Sequence, residues 1–240
     1  MNFDLNIFLQ YALHPSHTYL YGLWLTCIIA LTSVVLGAAI GMLAALCRMS
    51  ANRLFQYPVR FYIWVIRGTP LLVQILFLYT ALAAGNVYRF EDIYFGEFVL
   101  PGNIQAAIVA LSISEGAFMA EIIRAGLLSI DKGQYEAAKA LGMTYPRLMR
   151  RIIFPQSMKV IIPGMGNQVN VLLKNTTLVS VIGVPELMLS TQMITSATFR
   201  VFELYLLLTI YFLILTSLWS LVQRRLEQHY ARSERFTDPA

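Results

Sequence analysis

Charge is spread unevenly along this 240-residue chain: Leu5 to Cys47, Gly68 to Tyr88 and Leu204 to Gln223 contain no Asp, Glu, Lys or Arg. About 20 apolar residues in helical form cross roughly 30 Å of hydrocarbon, so each stretch is long enough to hold a membrane span. The pattern predicts five helices, at about 20–47, 58–84, 103–127, 157–182 and 203–223. The first, second and fifth are apolar throughout their middles. The third and fourth carry Glu115, Glu121, Arg124 and Lys174. Charges in a span cost several kcal/mol at the bilayer centre, about 3 on insertion scales, so these two helices are expected to face protein or a watery cavity rather than lipid.

The polar segments between the helices alternate in charge. Arg48, Arg53, Arg60 and Arg67 follow the first helix; Lys132, Lys139, Arg147, Arg150, Arg151 and Lys159 fill the third connection; Arg224, Arg225, Arg232 and Arg235 follow the fifth helix. The intervening connections hold Arg89 among Glu91, Asp92 and Glu97, and Arg200 with Glu186. Short basic loops stay on the cytoplasmic side, which predicts five spans with the N-terminus outside and the C-terminus in the cytoplasm.

Composition agrees with a membrane chain: 58% of residues are hydrophobic and 13% charged, against roughly 25% charged in soluble domains. The net charge of +5 does not indicate nucleic acid, because the basic residues flank apolar runs instead of forming one block. MNFDLNIFLQ has no basic leader region, so the first apolar run reads as a retained anchor. Two cysteines give no disulfide framework, and no metal-ligand spacing occurs beyond His14 and His17 in a polar terminus. The expected organisation is one all-α integral membrane domain over 1–240: a core at about 20–223, a connection at 131–155 and a tail at 224–240.

In the third connection, Asp131 with Gln134 three residues on marks a helix start, and Gly142 a left-handed stop. Thr144 caps a second helix with Pro146 in its first turn, and Pro155 is expected to break that helix before the fourth span. Ala137, Ala138 and Leu141 put small and apolar groups on this element, where solvation alone favours charge. Either the helix rests on the bilayer and the chain's own spans, or it receives another surface.

Among the polar groups inside the spans, Asn167, Asn170, Lys174 and Thr177 recur on one face of the fourth helix. Ser112, Glu115 and Met119 share a face of the third, where Gly116 and Ala120 permit close helix approach. At 1.5 Å per residue Lys174 lies roughly 22 Å and Glu115 roughly 18 Å from the inner boundary, so both occupy the middle layer. Two readings are open. Glu115 and Lys174 form a buried ion pair that fixes helix register, or Glu115, Asn167, Asn170 and Lys174 line a cavity for a ligand's ammonium and carboxylate. Arg67-Gly68-Thr69-Pro70 is read as a kink or as a gate.

The order Glu136-Ala137-Ala138, Gly142, then Ile152, Phe154 and Pro155 resembles the EAA loop of the membrane permeases of ATP-binding-cassette importers, with Phe154 where Leu is usual. RGTPLLVQ (67–74), GAFMAEIIRAG (116–126) and LLKNTTLVSVIGVPEL (172–187) are similar to the polar amino acid branch (histidine, glutamine, arginine type), and the likeness spans about 18–228. The resemblance implies a type I importer permease fold in a bacterial inner membrane, with Glu136, Ala137, Ala138 and Gly142 forming a coupling helix on a cytoplasmic ATPase. It also implies a second permease copy, an external or periplasmic amino-acid-binding protein, and alternating access for a polar or charged amino acid. The sequence has no G-x-x-x-x-G-K-[ST] phosphate loop, so ATP and magnesium are expected on the partner ATPase and this chain is not itself an enzyme. An ion-coupled secondary transporter also uses broken helices and midplane charges, but no internal repeat is visible here. A membrane enzyme would need a base beside its nucleophile, and no His lies in a span.

Overall fold

A computed structural model describes residues 3–231; Arg232, Arg235 and the rest of the predicted tail beyond 231 lie outside the described residues. The chain opens with α1 (Leu5–Leu13), absent from the sequence expectation, whose first N–H groups are met by the Asp4 carboxylate at 3.0 and 3.3 Å. α2 (His17–Met49) follows, capped by Ser16. At 1.5 Å per residue its 33 residues extend about 50 Å, beyond the hydrocarbon layer.

The predicted second span is not straight. It consists of α3 (Arg53–Gly68) and α4 (Leu71–Ala84), which meet at 110°. Pro70 pushes Thr69 into extended backbone (φ −121°, ψ 146°), which ends α3. Gln74 then reaches back: its Nε2 donates to Ile66 O at 2.8 Å and Thr69 O at 3.1 Å, satisfying carbonyls that the break orphans. The kink reading of Arg67–Pro70 therefore holds, with a far larger angle than a proline kink in a continuous helix.

After α4 a short hairpin, β1 (Ile93–Phe95) and β2 (Phe98–Leu100), turns through Gly96 at φ +64°. It is the one departure from an all-helical chain among the described residues. Asp92 accepts from Gly102 N at 2.8 Å and so fixes the hairpin to the start of α5 (Gly102–Leu128).

α5 is the central helix, with 67% of its apolar window buried, against 33% for α2 and 22% for α9 (Val201–Ala231). α2 crosses it at small residues. A Cβ on Gly41 would meet Met119 Cβ at 2.5 Å, and one on Gly116 would meet Ile40 at 2.5 Å. Backbones this close gain dispersion contacts that association in lipid relies on.

α5 leads through α6 (Lys132–Ala140) into α7 (Tyr145–Ile182). Pro155 does not break α7, contrary to expectation. A widened π turn at Met149–Ile153 precedes it, giving the ring room against the carbonyl four residues back, and the helix continues. Its last turn, Thr176–Ile182, tightens to 3-10 geometry and stops at Gly183 (φ +77°). α8 (Leu187–Thr198), also absent from the expectation, departs at 53° with its N–H groups held by Glu186, and α9 completes the chain. Among the described residues three helices (α2, α5, α9) are long and apolar enough to span alone, and five spans result when α3–α4 and α7–α8 each count as one.

Candidate functional site

Glu115 sits midway along α5 and is 2% exposed. Gly37 of α2 lies against it, since a Cβ there would come within 2.7 Å of Glu115 Cβ. One carboxyl oxygen accepts from Gln168 Nε2 at 3.3 Å; the other, Oε1, is buried with no hydrogen-bond partner among the described residues. An unmet buried acceptor costs about 1–3 kcal/mol, so this oxygen is open to a donor from an ordered water or a ligand. Glu115 lines a cavity of about 320 Å³, whose other polar walls are Arg67 and Thr69 at the α3–α4 break, Ser114 on α5, and Gln168 and Asn175 on α7. That volume lies at the small-molecule end of binding cavities.

The other three residues predicted beside Glu115 face elsewhere. Asn167 accepts from Gln223 Nε2 at 3.2 Å and Asn170 donates to Ser220 at 3.5 Å, both on α9. Asn170 and exposed Lys174 line a separate cavity of about 600 Å³ with Thr216, Ser217, Ser220 and Arg224. Glu115 and Lys174 make no ion pair with each other. Rotation separates the two sets: at 100° per residue, Gln168 and Asn175 lie about a third of a turn around α7 from the 167–170–174 stripe. Gln168 was missed, although its seven-residue spacing to Asn175 is a legible second polar face. A third cavity, of about 850 Å³, lies at the hairpin end, where Asp92 is already spent on Gly102 N.

Six residues along α5, Glu121 shows the opposite condition. Its carboxylate contacts Arg48 of α2, lies 3.3 Å from Arg124 and 3.9 Å from Arg67. The pairing of Glu121 with Arg124 follows the three-residue spacing; the two arginines from α2 and α3 arrive only through packing.

The predicted helix, turn and helix form, but Thr144, at the N-cap of α7, makes no side-chain capping hydrogen bond. The Asp131 carboxylate caps α6 through Gly133 N at 2.7 Å, and α6 ends with Met143 N bonded to Ala138 O at 3.0 Å and Gly142 left-handed at φ +68°. Glu136, Ala137 and Gly142 are exposed, and Leu141 beside them is 80% exposed. Ala138 differs from its expected outward position. It is 1% exposed and belongs to one buried cluster with Ala45, Leu127, Leu148 and Ile161, which gathers residues of α6 with residues of α2, α5 and α7.

Broken helices around a buried polar cavity, joined by one continuous helix to a basic loop with an exposed apolar face, define a membrane transport subunit. The sequence comparisons make that class specific: residues 37–232 match the family described as the binding-protein-dependent transport system inner membrane component, and the chain belongs to that family. It is 35% identical over 214 residues to the arginine transport system permease protein of Corynebacterium glutamicum (86% of this chain, 66% of that one, about two thirds of its length). It is 37% identical over 192 residues to the glutamine transport system permease protein of Escherichia coli K12 (80% of this chain, 83% of that one). A crystal structure of an amino acid ABC transporter with histidines superposes at a TM-score of 0.81 with 34% identity, covering 95% of this chain and 100% of that one. The chain is thus a multi-pass inner-membrane permease subunit of an ABC importer with a type I permease fold.

Proposed function

We propose that the chain forms the translocation path of an importer for a polar or charged amino acid, driven by a separate cytoplasmic ATP-binding-cassette ATPase that carries the ATP and magnesium. The relatives transport arginine and glutamine by name, and the solved transporter was crystallised with histidines. The observation that carries the mechanism is the continuity of α7 from the loop to Ile182. Its loop end packs with Ala138 through Leu148 and Ile153, and its far half supplies Gln168 and Asn175 to the Glu115 cavity. A push on Glu136, Ala137, Leu141 and Gly142 is therefore transmitted along one helix to the cavity wall. Closure of the ATPases draws two such loops together and opens the path outward; hydrolysis returns it inward.

In this reading the permease works as a pair, receives substrate from an external binding protein, and keeps the 131–155 loop and C-terminus in the cytoplasm. Glu115 meets the substrate's cation, while Asn167, Asn170 and Lys174 line the path beside α9. A cytoplasmic ATPase should co-purify with the chain. Glu136→Arg should reduce that association or substrate-stimulated hydrolysis at normal membrane levels. A reporter after Ala240 should label as cytoplasmic and one near Asn86 as external. Uptake by the chain alone under an ion gradient, with no ATPase bound, would overturn the reading.

A further inference from the structure

The cavity beside Glu115 has a second charged wall. Arg67, in the last turn of α3, lines it and holds its guanidinium 5.5 Å over the centre of the Phe118 ring. Glu115, Phe118 and Glu121 are spaced by three on α5, so Phe118 separates the two carboxyl groups by about 4.5 Å of helix rise on either side. Arg67 therefore lies between an unpaired carboxyl and an over-subscribed one.

At Glu121 three guanidinium groups share one carboxylate. Arg48 and Arg124 hold it more closely, Arg67 is the farthest at 3.9 Å, and its side chain is 46% exposed. The cluster carries more positive than negative charge, and Arg67 is the member whose charge is least used. A planar guanidinium with free N–H groups takes a carboxylate in a two-bond fork that an ammonium does not reproduce.

We propose that Arg67 reads the substrate's α-carboxylate while Glu115 takes its cation, and that loading the cavity draws Arg67 away from Glu121. This rests on the amino acid reading above. The two walls make the cavity bipolar, matched to a zwitterion and not to a simple cation or anion. Arg67 also precedes the 110° break between α3 and α4, so its change of partner acts on the joint that separates the two halves of this span. The break itself is held by Gln74, whose amide bonds Ile66 O and Thr69 O, so replacing the Arg67 side chain leaves the joint's backbone bonds in place.

The test uses the purified permease–ATPase complex without binding protein, titrated calorimetrically with arginine, histidine and glutamine and with the three amines that lack the α-carboxylate. Wild type should prefer each bound amino acid to its amine. Arg67→Gln and Arg67→Lys should weaken the amino acids by about 30-fold or more while leaving the amines within a few-fold, so that the preference collapses. Thermal melting and ATPase recovery of each variant are read alongside. Equal weakening of acid and amine makes Arg67 a structural residue and overturns the inference, as does no weakening of either. Failure of wild type to bind any of the three amino acids overturns the amino acid reading and this inference with it; binding by wild type with an unchanged preference in the variants removes this inference alone.

Discussion

Glu115 and Glu121 stand six residues apart on one helix, roughly 9 Å in rise, and live under opposite conditions. Glu121 is about a fifth exposed and has three arginines from three helices around it. Glu115 is buried, has one amide for a partner, and leaves an oxygen unmet beside a cavity. A carboxylate already neutralised by side chains belongs to the framework. One that is desolvated without a cation holds its strongest interaction in reserve for whatever enters.

Breaking the framework member should give the largest effect. Glu121→Gln leaves three guanidinium groups facing one another, and at the low end for broken buried pairs, because these groups are partly solvated, it should cost on the order of 3 kcal/mol. Thermal melting of the purified chain in detergent reads this as a clear drop. An unchanged melting point would mean that the cluster is solvent-screened and the comparison empty.

Glu115→Gln should behave the other way. Arginine binding or uptake should fall by about 30-fold, ~2 kcal/mol at 1.4 kcal/mol per decade, with glutamine affected less. Melting should stay level or rise, since an amide costs less to bury than a carboxylate. Uptake competition in reconstituted vesicles with arginine, histidine, glutamine and glutamate separates the cases; equal losses for all four, with a lower melting point, would make Glu115 structural too.

The comparison sharpens at two glycines. Gly37→Ala drives a methyl to 2.7 Å from Glu115 Cβ and should cost about 1–2 kcal/mol by overpacking, whereas Gly68→Ala has nothing within 4 Å and should be neutral or mildly stabilising. Melting curves of the pair check it. Smallest of all, Asn170→Ala removes a 3.5 Å hydrogen bond to Ser220 and should change stability by about 0.5 kcal/mol, and substrate uptake less than Glu115→Gln does. A larger uptake loss at Asn170 than at Glu115 would put the main substrate contacts on the α9 side of the path.

Local chemistry determined much of this protein from sequence. Charge-free runs located α2 to within three residues at each end and the body of α9, which extends to Ala231 past the expected 223, because span length is set by the bilayer and needs no knowledge of neighbours; α5 was located by an apolar run that carries Glu115, Glu121 and Arg124. Asp131 and Gly142 marked α6, because caps and left-handed stops depend on backbone groups within one turn. What sequence left undecided was every rotation and every angle. Asn167 and Gln168 are adjacent in the chain, yet one meets α9 and the other Glu115, and only the packing of α7 between α5 and α9 chose which. Pro70 ends a helix while Pro155 follows a π turn at Met149–Ile153 and the helix continues through it. Arg48 and Arg67 reach Glu121 from helices distant in sequence, and Ala138 turned inward because α2, α5 and α7 end together beneath it. A helix carries its own hydrogen bonds wherever it points; the direction it faces is fixed by the contacts it buries against others.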